Sequence, residues 1–240
     1  MIKPYKDNKS GKKEQVAQMF NNIARRYDFL NHFLSLGIDN IWRRKAIKCL
    51  SGISSNPIIL DVASGTGDLA IAALKLNPEK VIGIDISEEM LHFGIKKIKK
   101  RAYQNVIELK KGDSENLEFK NDFFDGITVA FGVRNFENLN RGLSEMHRVL
   151  KPSGKAVILE FSKPRIFPVK QMYNFYFKLV LPLLGKIISK DSSAYTYLPE
   201  SVNQFPEREL FIKEIKKAGF KDCAFKTLSF GIASIYIAIK

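Results

Sequence analysis

Residues 57–162 alternate five short apolar segments with longer stretches in which apolar residues recur at helical spacing. Short apolar runs are typical of strands buried on both faces of a parallel sheet, and the helices between them supply the crossover connections. The five segments read PIILDVA, VIGID, NVIELKKG, FFDGITVAF and AVILEFS. The pattern predicts an α/β fold with a Rossmann-like, doubly wound, mostly parallel sheet. In such sheets ligands bind at the carboxyl ends of the strands.

The segments before this core predict a tail and two helices. Residues 1–13 are rich in lysine, so we expect a flexible basic tail. In residues 14–50, apolar side chains recur every three or four positions, which predicts a helix over 14–35 and a second one from an N-cap at Asp39 to Leu50. We expect both helices to lie over the site.

Two further segments follow the core. Residues 163–205 carry aromatic and aliphatic side chains, with six basic and no acidic residues up to Lys190, and they predict a helical cover. Residues 206–240 predict a helix and then two strands joined through Gly231, an antiparallel pair at the sheet edge. We expect residues 14–240 to form a single domain.

Composition limits the class of protein without selecting a partner. The net charge of +14 favours an anionic partner, either a polyanion or an anionic membrane surface. The lysine-rich run 95–101 lacks interleaved aromatic residues, so it predicts a solvated helix face and no nucleic-acid site. Cys49 and Cys223 belong to no CxxC pattern, which indicates neither disulfides nor a metal site. With no apolar run long enough for a signal peptide or a membrane span, we expect a cytoplasmic protein.

A glycine-rich turn follows the first core strand. Gly65 and Gly67 allow the backbone to approach a ligand closely, and the following helix offers unpaired N–H groups and a positive dipole end. Residues 65–70 also match the dinucleotide pattern G-x-G-x-x-A, so an NAD-dependent oxidoreductase remains an alternative. Asp61 favours S-adenosylmethionine (SAM), because a carboxylate there would repel a pyrophosphate and attract the ammonium group of SAM. The turn therefore predicts a SAM site that includes Asp61, Gly65 and Gly67.

Polar residues also follow the second and third strands. Asp85 ends the second strand, where its carboxylate can accept hydrogen bonds from the ribose hydroxyls of either cofactor. Ile86 comes next and can pack on the adenine ring. Asp113 and Ser114 follow the third strand and can bind the adenine amino edge, although such a pair on its own would more simply cap a turn. We expect these four residues to form the adenosine end of the site.

Three further motifs resemble the menaquinone/ubiquinone biosynthesis C-methyltransferases, the UbiE/MenG family, and the likeness runs from about residue 19 to the C-terminus. They are YDFLN at 27–31, FGVRN at 131–135, and RVLKPSG at 148–154 followed by EFS at 160–162. The motifs shared by class I SAM-dependent methyltransferases indicate only the cofactor, whereas YDFLN, FGVRN and EFSKP (160–164) together are much more specific and indicate the substrate class. Leu30, Asp39, Ala130 and Ser153 depart from the family pattern, and Asp39 replaces a histidine whose role is therefore not carried over.

The resemblance implies SAM-dependent methylation of a ring carbon of a prenylated quinol. Conversion of demethylmenaquinol to menaquinol is the first expectation, and methylation of 2-methoxy-6-polyprenyl-1,4-benzoquinol is the alternative. Thr66 joins Asp85, Asp113 and Ser114 as a cofactor-binding residue by the same resemblance, while Ala130 offers no hydroxyl contact.

The chemistry of this reaction suggests catalytic residues. A phenolic hydroxyl with a pKa near ~10 must lose its proton before the neighbouring ring carbon becomes nucleophilic. Arg134, after the fourth strand, is expected to stabilise the phenolate, with Asn135 orienting the oxygen and Tyr27 reaching the substrate. The structural alternatives are an ion pair of Arg134 with Asp113 or Glu137, and a core position for Tyr27.

The lipid substrate also suggests a location. The aromatic residues and spaced lysines of the predicted cover suit a membrane interface, so we expect peripheral contact at the inner face of the membrane, with an ordinary cover helix as the alternative. A homo-oligomer stays open. Two other functions remain: a SAM-dependent methyltransferase of RNA or another small molecule, which the charge supports, and a SAM-binding subunit without activity, which Arg134 and Asn135 disfavour.

Overall fold

The strands form a single sheet within residues 2–5, 7–180 and 193–240, which the computed structural model describes. The strands are β1 (Ile58–Val62), β2 (Lys80–Asp85), β3 (Ile107–Lys111), β4 (Phe124–Ala130), β5 (Leu150–Phe161), β6 (Asp222–Leu228) and β7 (Ala233–Ile239). Their order across the sheet is β3-β2-β1-β4-β5-β7-β6.

The strand directions confirm the predicted sheet. β1 lies in parallel between β2 and β4, and the pairs β2–β3 and β4–β5 are also parallel. β7 inserts antiparallel between β5 and β6, which is the predicted C-terminal edge pair. The chain order reverses between β1 and β4, and at such a switch point the helices on either side diverge and leave a crevice.

Helices cover both faces of the sheet, as a doubly wound fold requires. Within the described residues the α-helices are α1 (Lys12–Leu34), α2 (Ile38–Leu50), α3 (Asp68–Ala73), α4 (Glu88–Lys100), α5 (Leu139–Val149), α6 (Val169–Phe175), α7 (Ser193–Gln204) and α8 (Glu209–Lys217). On one face α2, α3 and α4 bury Leu50, Ala70 and Ile98 against the sheet. On the other, α5 and α8 bury Leu143 and Phe211.

A third apolar cluster joins the N-terminal helix to the cover. Val16, Met19 and Ile23 of α1 pack with Tyr195 and Tyr197 of α7. The other part of the cover, α6, continues as one π-helical stretch from Tyr176 to Val180. Residues 181–192 of the predicted cover lie outside the described residues.

The N-terminal segment is hydrogen bonded to α1, which begins at Lys12. The Tyr5 backbone N–H donates to Gln15 Oε1, and Gln15 Nε2 donates to the carbonyls of Asn8 and Ser10. The flexibility of this tail, and the division of the chain into the sections predicted above, stay predictions.

The prediction that Asp39 is the N-cap of α2 is wrong. The chain enters α2 through Gly37, whose φ of 73° is in the left-handed region, so Asp39 falls in the first turn. Its buried carboxylate accepts hydrogen bonds from Ser35 Oγ and pairs with His32 Nδ1 of α1, at 2.7 and 2.9 Å. Asp39 therefore joins α1 to α2.

None of the helices in the described ranges combines the length and the apolar character that crossing a membrane requires.

Candidate active site

A cleft opens at the carboxyl ends of four adjacent parallel strands, β3, β2, β1 and β4, where the topology predicts a ligand site. The loops after β1, β2, β3 and β4 form its floor, and one face of α1 closes its side. Its lining includes Ala63, Gly65, Ile84, Asp85, Ile86, Met90, Gly112, Asp113, Ser114, Glu115, Ala130, Phe131, Gly132, Asn135, Phe136 and Glu137 from the sheet side, and Lys13, Val16, Phe20 and Tyr27 from α1.

The loop after β1 turns sharply on left-handed residues. Ala63, Gly65 and Gly67 have φ values of 53°, 55° and 81°. A Cβ on Gly65 would meet no atom within 4 Å, so this residue exposes its backbone to the cleft. A Cβ on Gly67 would approach Leu109 Cδ1 to 3.3 Å. Gly65 thus belongs to the wall of the cleft, whereas Gly67 serves the turn.

Asp85 ties the first two loops together. Its carboxylate accepts hydrogen bonds from the backbone N–H groups of Gly65 and Ser87, each at 2.8 Å. Burial raises the pKa of Asp85, and these N–H donors oppose that rise. Asp85 and its neighbour Ile86 both line the cleft, as the sequence predicts.

Asp61 is buried beneath the same loop, and it does not line the cleft. Its Oδ1 accepts a hydrogen bond from Thr128 Oγ1 at 2.8 Å, while Oδ2 has no hydrogen-bond partner among the described residues. Burial raises the pKa of Asp61 to about 7, although Thr128 and the charge of Arg43 lower it. A carboxylate with one open acceptor atom is suited to a cationic group or a water that links to one.

Thr66, which the family resemblance makes a cofactor-binding residue, directs its side chain into a cluster of charged groups. Its hydroxyl donates to Asp28 Oδ1 at 2.5 Å and accepts from Lys97 Nζ at 3.0 Å. Lys97 also pairs with Asp28 and Asp68, at 2.5 and 2.7 Å. The Thr66 side chain is buried there and is absent from the lining of the cleft.

The loop after β3 brings Asp113 and Ser114 to the far end of the cleft. Asp113 Oδ1 accepts from the backbone N–H of Glu115, which is the turn-capping bond expected of an isolated pair. Its Oδ2 pairs with Lys13 Nζ at 2.7 Å, and Lys13 also contacts Glu115 at 3.3 Å. Lys13 is therefore a cleft residue that the sequence reasoning missed by assigning it to a tail.

Lys12, also assigned to the tail, is buried behind the loop after β4. Its ammonium donates to the carbonyls of Arg134 and Phe136, at 2.9 and 2.7 Å. Burial, helped by the nearby charge of Arg134, lowers the pKa of Lys12 to about 8. The start of α1 thus holds the backbone that presents Asn135 to the cleft.

Arg134 has a buried ion-pair partner, and it is neither of the two that the sequence suggested. Its Nη1 donates to Glu160 Oε1 at 2.7 Å and to the Phe131 carbonyl at 2.6 Å. Glu160, at the end of β5, is fully buried, and burial raises its pKa against the effect of Arg134. The guanidinium lies over the Phe161 ring, 5.4 Å from its centroid. Asn135 and Tyr27 line the cleft and Arg134 lies behind it.

Contacts with all four loops hold α1 along the cleft. Lys12 and Lys13 contact the loops after β4 and β3, and Asp28 contacts the loop after β1. Asn21 Oδ1 accepts from Ser87 Oγ, after β2, at 2.7 Å. Lys13, Val16, Phe20 and Tyr27 share one helix face at spacings of three, four and seven, a periodicity that would have identified Lys13 had the helix been started earlier.

Comparison with known sequences finds full-length relatives. The model of the ubiE/COQ5 methyltransferase family matches residues 8–240. The demethylmenaquinone methyltransferase of Bacteroides fragilis is 52% identical over 240 residues, which cover 100% of this chain and 97% of the relative. The ubiquinone/menaquinone biosynthesis C-methyltransferase UbiE of Geobacter sulfurreducens is 46% identical, over 95% of this chain and 90% of that one.

Comparison with solved structures shows the fold. The [4+2]-cyclase SpnF superposes with a TM-score of 0.71 at 14% identity, over 96% of this chain and 97% of that one. A SAM-dependent methyltransferase from Thermotoga maritima gives a TM-score of 0.64 at 18% identity, over 93% and 99% of the two chains. The architecture is thus that of class I SAM-dependent methyltransferases, and a likeness that includes a cyclase leaves the reaction to be argued from the site.

Proposed function

Because the chain belongs to the ubiE/COQ5 methyltransferase family, we propose that it methylates a ring carbon of demethylmenaquinol to give menaquinol. The family makes it a SAM-dependent methyltransferase of quinone biosynthesis. One observation above all supports the naphthoquinol substrate: the chain is 52% identical over its full length to a relative named demethylmenaquinone methyltransferase. The name of the Geobacter relative keeps the benzoquinol of ubiquinone biosynthesis as a second candidate.

The residues of the cleft fit SAM. Gly65 offers open backbone and Asp85 lines the cleft at the end of the second strand. Beneath the loop after β1, buried Asp61 has an unpartnered oxygen that suits a cationic group or a water that links to one. When bound, SAM supplies an electrophilic methyl carbon; the S–C electron pair stays on sulfur, a bond to the ring carbon forms, and the ring proton is released.

We assign the cofactor contacts from this lining. Asp85 would bind the ribose hydroxyls, with Ile86 packing on adenine and Asp113 and Ser114 at its amino edge. Asp61 would face the ammonium group through Oδ2. Thr66 and Gly67 would contribute through the shape of the loop, since the Thr66 hydroxyl is held by Asp28 and Lys97.

Arg134, Asn135 and Tyr27 would act on the substrate. A guanidinium that remains charged lowers the cost of forming the phenolate. Glu160 positions that guanidinium, while the Asn135 amide, whose Oδ1 has no partner among the described residues, orients the reacting oxygen. Tyr27 on α1 would close over the ring.

The test uses the purified protein, methyl-labelled SAM and a short-chain demethylmenaquinone reduced in situ, with the product identified by mass. Label in the menaquinone is the expected result. Parallel reactions contain the reduced benzoquinone precursor and total RNA. Transfer to RNA without transfer to either quinol would overturn the proposal, and preference for the benzoquinol would move the protein to the second candidate.

We also propose that the protein meets its lipid substrate at the cytoplasmic face of the membrane. The cover exposes five large apolar side chains, which we call the apolar patch: Ile166, Phe167, Met172, Phe175 and Leu179. The same stretch of sequence carries Lys163, Arg165 and Lys170. Phe167 and Met172 are 80% and 67% exposed. Exposed aromatic and aliphatic groups next to lysines suit an anionic lipid surface.

Flotation with phosphatidylglycerol vesicles tests the membrane contact. The double variant Phe167→Ser and Met172→Ser should float far less than the parent. Leu210→Ser is the matched control, because Leu210 is 58% exposed on α8, outside the patch. Equal flotation of all three proteins would refute the proposed surface.

A further inference from the structure

A continuous row of aromatic rings lies beside Arg134 and begins at Phe131 in the lining of the cofactor cleft. Phe131 and Phe161 have ring centroids 4.5 Å apart, and Phe161 contacts Phe177 at 6.3 Å. Phe177 stacks on Tyr173 at 4.1 Å. The guanidinium of Arg134 lies over the Phe161 ring. The row thus places apolar ring surface next to a fixed cation, a combination that suits a flat, hydroxylated aromatic ligand.

Two tyrosine hydroxyls, one of them on the last ring of this row, lack hydrogen-bond partners among the described residues. Tyr173 on α6 and Tyr197 on α7 are 8% and 3% exposed, and among the described residues neither hydroxyl makes a hydrogen bond. Asn135 Oδ1 and Arg134 Nε, on the turn against which α7 packs, are likewise buried without partners. A buried polar atom without a partner destabilises a protein, and such atoms are rare in native structures. These four buried polar atoms without partners, two hydroxyls, an amide oxygen and a guanidinium nitrogen, indicate a site for a polar group of a ligand.

The electrostatics of the region decide what these hydroxyls can do. Burial raises the pKa of both tyrosines, that of Tyr197 to about 12, with Arg134 opposing the rise and Glu160 adding to it. Both side chains therefore keep their protons at neutral pH. They can donate a hydrogen bond to an anionic oxygen, and they cannot serve as the base that removes its proton.

We propose that Tyr173 and Tyr197 form a hydroxyl subsite that donates hydrogen bonds to the phenolate oxygen of the quinol beside Arg134. The proposal rests on the proposed function for the identity of the ring. In this arrangement Arg134 supplies the charge, Glu160 holds Arg134 in place, and the two cover helices supply neutral donors. The proton of the ring hydroxyl leaves to solvent, since neither tyrosine can take it.

This arrangement makes the cover part of the active site. Donors fixed before the reaction stabilise developing charge without reorganising, and removing one from such a site lowers turnover by about 10²- to 10³-fold where it is the main donor. With two tyrosines and an arginine sharing the charge, we expect about tenfold from each single change and a larger, more than additive loss from both.

The test compares Tyr173→Phe, Tyr197→Phe and their double variant with Tyr236→Phe. Tyr236 is the matched control, because it is also a fully buried tyrosine, but its hydroxyl accepts a hydrogen bond from the Arg208 backbone N–H at 2.7 Å. All four variants are first checked for folding by thermal unfolding and for SAM binding by calorimetry. The first three should lose kcat with SAM affinity kept, and Tyr236→Phe should lose stability alone.

A spectroscopic readout separates a role in charge stabilisation from a role in packing. 4-Methoxy-1-naphthol, a single phenol that resembles the reduced ring, is bound in the presence of S-adenosylhomocysteine and titrated by the absorbance of its naphtholate. Its pKa should be lower in the parent complex than in water, and loss of the tyrosine donors should raise it again. The groups that face the phenol in this titration are Lys12, Arg134, Glu160, Tyr173, Tyr197 and Glu207.

The outcomes separate this proposal from the proposed function. If the parent methylates the quinol while the tyrosine variants behave like Tyr236→Phe in kcat and in the naphthol pKa, the subsite is refuted and the function stands. If the parent methylates no quinol but the tyrosine variants still raise the naphthol pKa, the subsite stands and the substrate is another phenol.

Discussion

Replacement of Asp61 by Asn should make the ligand-free protein more stable and the cofactor complex weaker. Burial raises the pKa of this carboxyl from its ordinary value of 3.8 to about 7. The native protein therefore binds more protons than the unfolded chain between these two pH values, and its stability falls as the pH rises through that window. Asparagine keeps an oxygen that can accept from Thr128 and has no charge to bury.

The size of the effect follows from the same two values. At about 1.4 kcal/mol per pH unit, the gap between them corresponds to roughly 4 kcal/mol of unfolding free energy above pH 7. Asp61→Asn should thus gain roughly 4 kcal/mol over the parent at pH 8, roughly 2 kcal/mol at pH 5, and almost nothing at pH 3. The substitution removes the free-energy cost of burying the Asp61 charge, a cost that is present in the ligand-free protein because the charge serves SAM binding.

Urea unfolding of the parent and the variant across pH 3 to about 8 measures the gain. The control is Asp222→Asn, at an exposed position at the start of β6, which should show no such pH-dependent gain. Calorimetry measures the affinity of each protein for SAM. The affinity of Asp61→Asn should be weaker by about tenfold or more, because the ammonium group of SAM loses its charged acceptor. A gain that is independent of pH would refute the burial argument, and a gain with unchanged SAM affinity would refute the assignment of Asp61 to the ammonium.

Three further changes test other parts of the site. Arg134→Ala should lower turnover by about 10²-fold or more while SAM binding is kept. Its free energy of unfolding in urea should fall by about 3 to 5 kcal/mol, because Glu160 is left buried without its ion-pair partner. The double variant Arg134→Met and Glu160→Gln should recover that stability but not turnover, and recovered turnover would refute the role of Arg134 in stabilising the phenolate. Asp85→Ala should weaken SAM binding by about tenfold or more in calorimetry; unchanged binding would remove Asp85 from the cofactor contacts. Lys97→Ala removes the ammonium that joins Asp28 of α1 to Asp68 of α3, so SAM should dissociate faster and α1 amides should exchange faster with solvent. Unchanged rates would contradict the role of α1 in closing the side of the cleft.

Local pattern and strand order predicted correctly where two of the expected site residues lie. Asp85 and Asp113 follow neighbouring parallel strands, and their carboxyl ends meet at one edge of the sheet, so both residues line the cleft. The prediction for Asp39 failed because acidic residues favour the N-cap and the first turn alike, and only the left-handed Gly37 decides between them.

Residue type and spacing by themselves determined the alternating strands and helices, the antiparallel edge pair, the glycine turn and the family. These features are carried by neighbours in sequence, or by pairing rules that hold for any parallel sheet. Only the tertiary structure decided that Arg134 pairs with Glu160, that Thr66 faces Asp28, that Lys13 reaches Asp113, and that Tyr173 and Tyr197 lie near one cation. Each of these contacts joins residues from separate elements, and burial and charge act through distance in space, which spacing along the chain does not specify.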